Sequence, residues 1–266
     1  MISAPARCPR LARVELRRPV FLSDVHVTSV RPATRTRLLD ALAAVARGEP
    51  GGELVILGDL FEFWAGDDTL EGSEPDDLLA GEVADALATV AASGTRVYLM
   101  HGNRDCLLGE AFLARSGALL LADPTVALLP GGQVLLSHGD AWCTLDVAYQ
   151  AFRVQARDPA FQTAFLSLPI AVRKARIGQA RVQSEAGKRH MREDIMDVTP
   201  EAVEEAMRAS GTQRVIHGHT HRPARHDFQV AGAPATRWVL SDWTDDPGQP
   251  ARGGLLAWDA GGLRPA

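Results

Sequence analysis

The chain of 266 residues has only three cysteines, Cys8, Cys106 and Cys143. Their odd number and wide spacing, with no C-x-x-C pair, exclude a disulfide framework and a zinc knuckle as expectations; all three read as small buried hydrophobes. Long apolar runs are missing too. The longest stretches fall well short of the roughly 18 to 20 residues that a bilayer-crossing helix needs, and the first residues lack the continuous apolar core of a signal peptide. The expected location is cytoplasmic. No internal repeat or disorder signature occurs. Neither sign of charge dominates, with 28 Lys plus Arg against 33 Asp plus Glu and a formal net charge of −5, so nucleic acid is not an expected partner. What is left is an ordinary globular composition, 46% hydrophobic and 23% charged, long enough for one large domain with an insertion or for two small ones.

The mild net charge hides an uneven distribution. From Ala151 to Ile195 there are nine basic residues (Arg153, Arg157, Arg173, Lys174, Arg176, Arg181, Lys188, Arg189, Arg192) against four acids (Asp158, Glu185, Glu193, Asp194), so this segment carries +5 and the remainder about −10. An acidic body suits cations, and a basic segment suits phosphates or an anionic lipid surface. The plainer alternative is a solvated helical face. The first nineteen residues hold Arg7, Arg10, Arg13, Arg17 and Arg18 against Glu15; they read as an extended start to the fold in preference to an arm lying on anionic headgroups.

Five short apolar runs each end in a polar cluster: Val20-Phe21-Leu22 before "SDVH", Leu54 to Leu57 before "GDLFEFW", Val97 to Met100 before "HGNRD", Val134-Leu135-Leu136 before "SHGDAW", and Val215-Ile216 before "HGHTH". Such runs, bounded by Gly and Asp, read as buried strands. Helical spacing separates the first three, at Leu38, Leu39, Leu42 and Val45 and again at Leu78, Leu79, Val83, Leu87 and Val90. The alternation predicts an α/β fold of βαβ units, which places ligands beyond the carboxyl ends of the strands. From Leu145 to about Val198 no strand is expected, and "AYQAFRVQ" and "FQTAFLSLPIAVRKARI" predict a helical insertion over those ends. Thr199 is the expected N-cap of a further helix with Pro200 in its first turn. Two more strands are expected, Trp238 to Ser241 and Leu255 to Trp258.

The clusters form one set. Asp24 and His26 alternate on what reads as an extended segment and so point the same way; Asp59, Asn103 and His138 follow the next three strands, and His219 and His221 repeat the alternation after the fifth. Seven oxygen and imidazole ligands exceed what one ion takes, whereas two ions sharing a central carboxylate, Asp59, use them all. A metal pair about 3.5 to 4 Å apart grips a phosphate and lowers the pKa of a bridging water. Asn103 offers a ligand oxygen without adding negative charge. Lone histidines are usually structural; His190 and His226 are read that way, and His101 and His217, just upstream of their glycines, as either structural or supporting the ligands from behind. Ligands without thiols suit Mn²⁺, Fe²⁺, Zn²⁺ or Mg²⁺ alike.

Together "SDVH", "LGDLFEFW", "HGNRD", "SHGDAW" and "HGHTHRP" resemble the calcineurin-like metallophosphoesterase superfamily from about Val20 to Trp243. "LGDLFEFWAGDD", "HGNRDCLLG", "IMDV" and "IHGHTHRPA" are similar to its branch of UDP-2,3-diacylglucosamine diphosphatases in lipid A biosynthesis. The resemblance implies an αββα sandwich with a helical lid, divided as extension 1–19, core 20–144, lid 145–198 and core 199–266. It implies two Mn²⁺ ions on Asp24, His26, Asp59, Asn103, His138, His219 and His221, with Asp59, Asn103 and Arg104 catalytic. A metal-activated hydroxide would split the pyrophosphate of a lipid-linked sugar nucleotide into UMP and 2,3-diacylglucosamine 1-phosphate. The enzyme would work as a peripheral protein on the inner face of the inner membrane, against its anionic surface.

Most of the superfamily has a histidine where this chain has Arg104. Arginine donates no proton near neutrality, but its planar fork binds phosphate oxygens two at a time, which suits a leaving group that is itself a phosphate. Lid residues Phe152, Phe161, Phe165, Leu166, Leu168 and Ile170 are candidates for holding acyl chains, with ordinary core packing as the alternative, and the lid's basic residues are expected to face phosphates or membrane. Asn103, Arg104 and His219, with Asp146, Ser184 and either Lys188 or Arg189, are the implied substrate contacts. A metallophosphoesterase acting on a soluble phosphodiester or dinucleoside polyphosphate is the alternative, and a non-catalytic metal-binding scaffold a third; the full ligand set speaks against the latter.

Overall fold

The computed structural model describes residues 11–188, 195–246, 248, 250–259 and 261–266. In chain order the elements are β1 (Ala12–Glu15), β2 (Pro19–Leu22), α1 (Pro32–Arg47), β3 (Glu53–Leu57), α2 (Pro75–Ala92), β4 (Arg96–Met100), α3 (Glu110–Ser116), β5 (Ala118–Leu121), β6 (Thr125–Leu129) and β7 (Gly132–Ser137). There follow α4 (Val147–Ala156), α5 (Pro159–Leu166), α6 (Ile170–Lys188), α7 (Pro200–Ser210), β8 (Arg214–His217), β9 (Ala224–Val230), β10 (Ala233–Val239), β11 (Leu256–Asp259) and β12 (Gly262–Pro265). They build two six-stranded sheets, ordered β12-β11-β2-β3-β4-β5 and β1-β6-β7-β8-β10-β9. The run β2-β3-β4-β5 is parallel, as are β7-β8-β10.

Burial on both faces explains the unbroken apolar runs. Along β3, Leu54 and Ile56 face the layer of α1 and α2, while Val55 and Leu57 face the opposite sheet; Val97 and Leu99 divide from Tyr98 and Met100 in the same way on β4. On β7, Val134 and Leu136 enter the space between the sheets, and Leu135 packs with Val203 and Met207 of α7. Three apolar layers thus separate four layers of secondary structure. Each fully buried aliphatic side chain contributes about 1.5 to 3 kcal/mol, and a one-residue slip of any of these strands would exchange the layers.

Three expectations need correction. Thr199 occupies the N-cap position of α7 but makes no capping bond; its hydroxyl is taken by Thr144 Oγ1 at 2.8 Å and lies 3.3 Å from the Trp142 carbonyl, tying the return of the insertion to its start. The strand expected at Trp238 to Ser241 begins earlier, at Ala233, because it pairs with β9 as a hairpin. The short strands β1, β5, β6, β9 and β12 had no cluster to mark them. Residues 12–15, within the basic N-terminal stretch, pair in parallel with β6, and the guanidinium of Arg18 lies 2.6 Å from Glu49.

Candidate active site

The segments after β2, β3, β4, β7 and β8 converge at one end of the sandwich and carry all seven residues singled out as ligands. Asp24 and His26 are not extended, however: their φ angles are 52° and 49°, and Asp59 (52°), His219 (70°) and His221 (55°) share the left-handed region. Such backbone costs on the order of 1 to 3 kcal/mol per residue unless its surroundings fix it. Here they do. Asp24 N donates to Gly58 O at 3.1 Å, His26 N to Asp59 O at 3.0 Å and Val27 N to Leu60 O at 3.0 Å, lacing the two loops together beyond their strands. Buried Asp105 accepts from Asp59 N (3.3 Å), Leu60 N (2.8 Å) and Gly102 N (2.8 Å). Asp24 accepts from His219 N at 3.0 and 2.9 Å. Glycine is required where loops touch: a Cβ on Gly102 would run into Asp59, and one on Gly218 into Asp24.

The side chains form two triads, Asp24 with His26 and His221, and Asp59 with His138 and His219, each with ligand atoms within 4.8 Å of one another. His26 Nε2 and His221 Nε2 lie 3.1 Å apart. Asp59 sits between the triads, with Oδ2 3.7 Å from His26 Nε2 and Oδ1 3.7 Å from His138 Nε2. Asn103 Oδ1 is 3.2 Å from His138 Nε2, which places it at the second triad. One outward nitrogen is fixed by a hydrogen bond, His138 Nδ1 to the Leu57 carbonyl at 2.9 Å; His26 Nδ1 faces the Glu62 carboxylate at 3.5 Å and His221 Nδ1 that of Asp242 at 3.7 Å. That arrangement presents the Nε2 atoms of His26, His138 and His221 to the centre, as a metal ligand requires.

The electrostatics are those of a cation site. Burial pushes the Asp59 carboxyl up to about 7 against the pull of His138, with Asp105 and Asp24 adding to the rise. Burial, then the charge of His138, lowers His219 to about 3, and burial holds His26 well below the usual imidazole range, with the Arg104 guanidinium contributing. His138 rises to about 9, because Asp59, Asp24 and Asp140 outweigh its burial. Hydrogen bonding to His221 and three nearby imidazoles hold Asp24 far below the carboxylate range despite burial. Buried carboxylates and imidazoles without thiols, inward Nε2 atoms and a shared Asp59 fit two divalent cations.

Other expected residues fall into place unevenly. Arg104 is half-buried; its N–H donates to Asp59 Oδ1 at 2.8 Å, and its carbonyl accepts from Trp64 N at 3.0 Å. His101 bonds the Leu108 carbonyl at 2.7 Å and His217 the Gly218 carbonyl at 2.8 Å, both structural contacts. Asp146 caps α4, accepting from Tyr149 N at 3.0 Å, and Ser184 is exposed on α6. Arg189 and His190, like Cys8, lie outside the described residues, as does the side chain of Lys188. Of the other two cysteines, Cys143 is buried and Cys106 only half-buried. Asp105, Glu62, Asp140, Tyr149 and Asp242 escaped sequence reading, although the first four stand inside quoted stretches.

Among the described residues, five basic side chains of the insertion turn to the acidic body, while Arg176 is exposed. Arg153 Nε (2.9 Å), Arg157 Nη2 (3.3 Å) and the Tyr149 hydroxyl (2.6 Å) converge on buried Asp140, and the Tyr149 ring stacks on His219 at 5.8 Å. Arg157 also donates to Gly102 O at 3.2 Å. Arg173, 3% exposed, binds Asp68 and the Ala65 carbonyl; Lys174 binds Glu74 (2.7 Å) and Asp77 (2.6 Å); Arg181 binds Glu62. The acidic body is what these cations meet. Apolar side chains are left outside instead: Phe152, Phe161 and Leu166 are 48%, 36% and 40% exposed. No helix among the described residues is long and apolar enough to cross a membrane.

Comparison with known proteins agrees with this geometry. A protein of Aeromonas hydrophila named UDP-2,3-diacylglucosamine hydrolase is 49% identical over 84% of this chain and 90% of its own length. Proteins of the same name from Aromatoleum aromaticum (46% identical, 91% of this chain and 94% of that one) and Xanthomonas campestris (45%, 92% and 96%) match nearly end to end. The family model for calcineurin-like phosphoesterases matches residues 17–223, from β2 through the segment bearing His219 and His221. This chain belongs to the calcineurin-like phosphoesterase family.

Proposed function

We propose that this protein hydrolyses the pyrophosphate bond of UDP-2,3-diacylglucosamine, giving UMP and 2,3-diacylglucosamine 1-phosphate, with the seven residues above holding two Mn²⁺ ions. The observation that carries the reading is the pair of triads with one carboxylate oxygen of Asp59 turned to each. Bound divalent cations supply Lewis acidity, polarising the phosphate and lowering the pKa of a water. The chain's own residues do the rest. His26, His138, His219 and His221 offer neutral Nε2 ligands, and Asn103 adds an oxygen without charge. Arg104, held beside Asp59 through its own N–H, turns a planar fork to the departing phosphate, which leaves as an anion and needs charge neutralised more than it needs a proton. The exposed Phe152, Phe161 and Leu166 of the lid receive acyl chains, so the enzyme takes its substrate from an anionic membrane face, peripherally bound at the inner membrane. Names and near full-length coverage of the relatives support the substrate.

The test is to supply Mn²⁺ with either UDP-2,3-diacylglucosamine or bis-p-nitrophenyl phosphate. Release of UMP with far the higher kcat/KM is expected; a ranking in favour of the simple diester would overturn the assignment.

A further inference from the structure

A cavity of about 310 Å³ opens beside His221 and is lined by Arg222, His226, Arg237 and Arg252, with Asp197 the only acid on its wall among the described residues. From these residues we infer that the cavity is the seat of the nucleoside monophosphate half of the substrate, an assignment that rests on the proposed pyrophosphate hydrolysis. Three observations carry it. The cavity adjoins the candidate metal centre at His221, which lines it and whose Nε2 is 3.6 Å from Asp24 Oδ1. Its volume is at the lower end of those that hold small ligands, about 300 to 1,000 Å³, and is right for a nucleotide rather than for two acyl chains. Its wall is basic, with only Pro223, Ala224 and Val239 as apolar members among the described residues, whereas the exposed phenylalanines belong to α4 and α5.

The arginines are pre-aimed. Arg222 Nη1 stands 3.3 Å from Asp197, Arg237 Nη1 3.8 Å from the same side chain's carboxylate, and Arg252 Nη2 3.0 Å from Asp242. Holding long side chains in place before binding removes part of the ordering cost, and three guanidiniums against two carboxylates, Asp197 on the wall and Asp242 behind Arg252, leave a net positive field for a phosphate monoester. A substrate with a pyrophosphate between two unlike ends is therefore split by the fold itself, nucleotide on the basic side and lipid on the apolar lid.

The test is calorimetric titration of UMP, and separately of inorganic phosphate, into the Mn²⁺-loaded protein and its Arg237→Met and Arg252→Ala variants, alongside 2,3-diacylglucosamine 1-phosphate. Each substitution is expected to weaken UMP about tenfold, as one lost charge-assisted contact does, and to leave the lipid product within twofold. Arg252 is half exposed, so its replacement tests the cavity even if the Arg237 variant folds poorly. Unchanged UMP affinity in the Arg252→Ala protein, or inorganic phosphate binding as tightly as UMP, overturns the inference. If UMP binding depends on the arginines while UDP-2,3-diacylglucosamine is not cleaved, the cavity stands and the proposed reaction falls. Cleavage with arginine-independent UMP binding leaves the reaction standing and overturns the cavity.

Discussion

The metal-ligand loops and the helical lid are built on opposite principles. Asp24, Asp59 and His138 are at most 2% exposed, and left-handed backbone is locked by hydrogen bonds between loops. The lid rides on ion pairs and keeps apolar residues in solvent; none of α5 is buried. A rigid centre fixes the positions of its side chains, while the insertion is attached by paired charges at its edge. The difference teaches that the basic charge of the insertion serves attachment before recognition.

Five measurements sharpen or break this contrast. Asp59→Ala should cost the most: both triads lose their common carboxylate, and kcat should fall by about a thousandfold or more with metal content below two ions per chain by elemental analysis. Two ions and full rate would refute the shared-ligand geometry. Next, Arg104→His should lower kcat roughly a hundredfold on the anhydride, with a smaller rise in KM, since the fork matters most as charge develops on the leaving group; an unchanged kcat assigns Arg104 another task.

Proton competition gives a third test at the rigid centre. The folded metal-free protein keeps His138 protonated up to about pH 9, above the free-imidazole value, and a ligand must be neutral. Cation affinity should therefore rise by about tenfold per pH unit on approaching pH 9 and flatten beyond it. Calorimetry at about pH 7.5 in buffers of different ionisation enthalpy should register proton release; none would place the proton elsewhere.

At the lid the effects should be smaller. Arg173→Met removes the buried clamp and leaves the carbonyls of Ala65 and Leu168 without their donor, a loss of about 1 to 3 kcal/mol. Faster amide exchange along α6 and a several-fold higher KM are expected, with metal content unchanged; unaltered exchange would show that the clamp is dispensable. Phe161→Ser should shift stability by less than about 0.5 kcal/mol, because the ring is already partly in solvent, yet raise KM for the diacylated substrate roughly threefold to tenfold. An equal KM would remove acyl chains from this face.

Much of the centre was legible because each candidate ligand follows an apolar strand, and Asp59, Asn103, His138 and His219 stand next to glycines, two of them, Gly102 and Gly218, demanded by the close approach of loops. What stayed hidden were partners chosen across the fold. Asp105 anchors three backbone N–H groups from neighbouring loops, and nothing in "HGNRD" distinguishes it from a metal ligand. Glu62 and Asp242, behind His26 and His221, came from segments with no periodic signal. The clamps made by Arg173, Lys174 and Arg181 were not legible because a count of charges along α6 says nothing about which face meets Asp68, Glu74 or Glu62.

By itself, then, the chain determined the layers and brought the seven candidate ligands into view, since alternating burial on two faces and short polar loops after each strand are local consequences of residue type. Only the tertiary structure decided the left-handed turns that aim the ligands, the sharing of Asp59 and the division of basic residues between the clamps of the lid and the cavity beside His221. Those depend on contacts between segments far apart in sequence, where a charge acquires its role from what it is packed against.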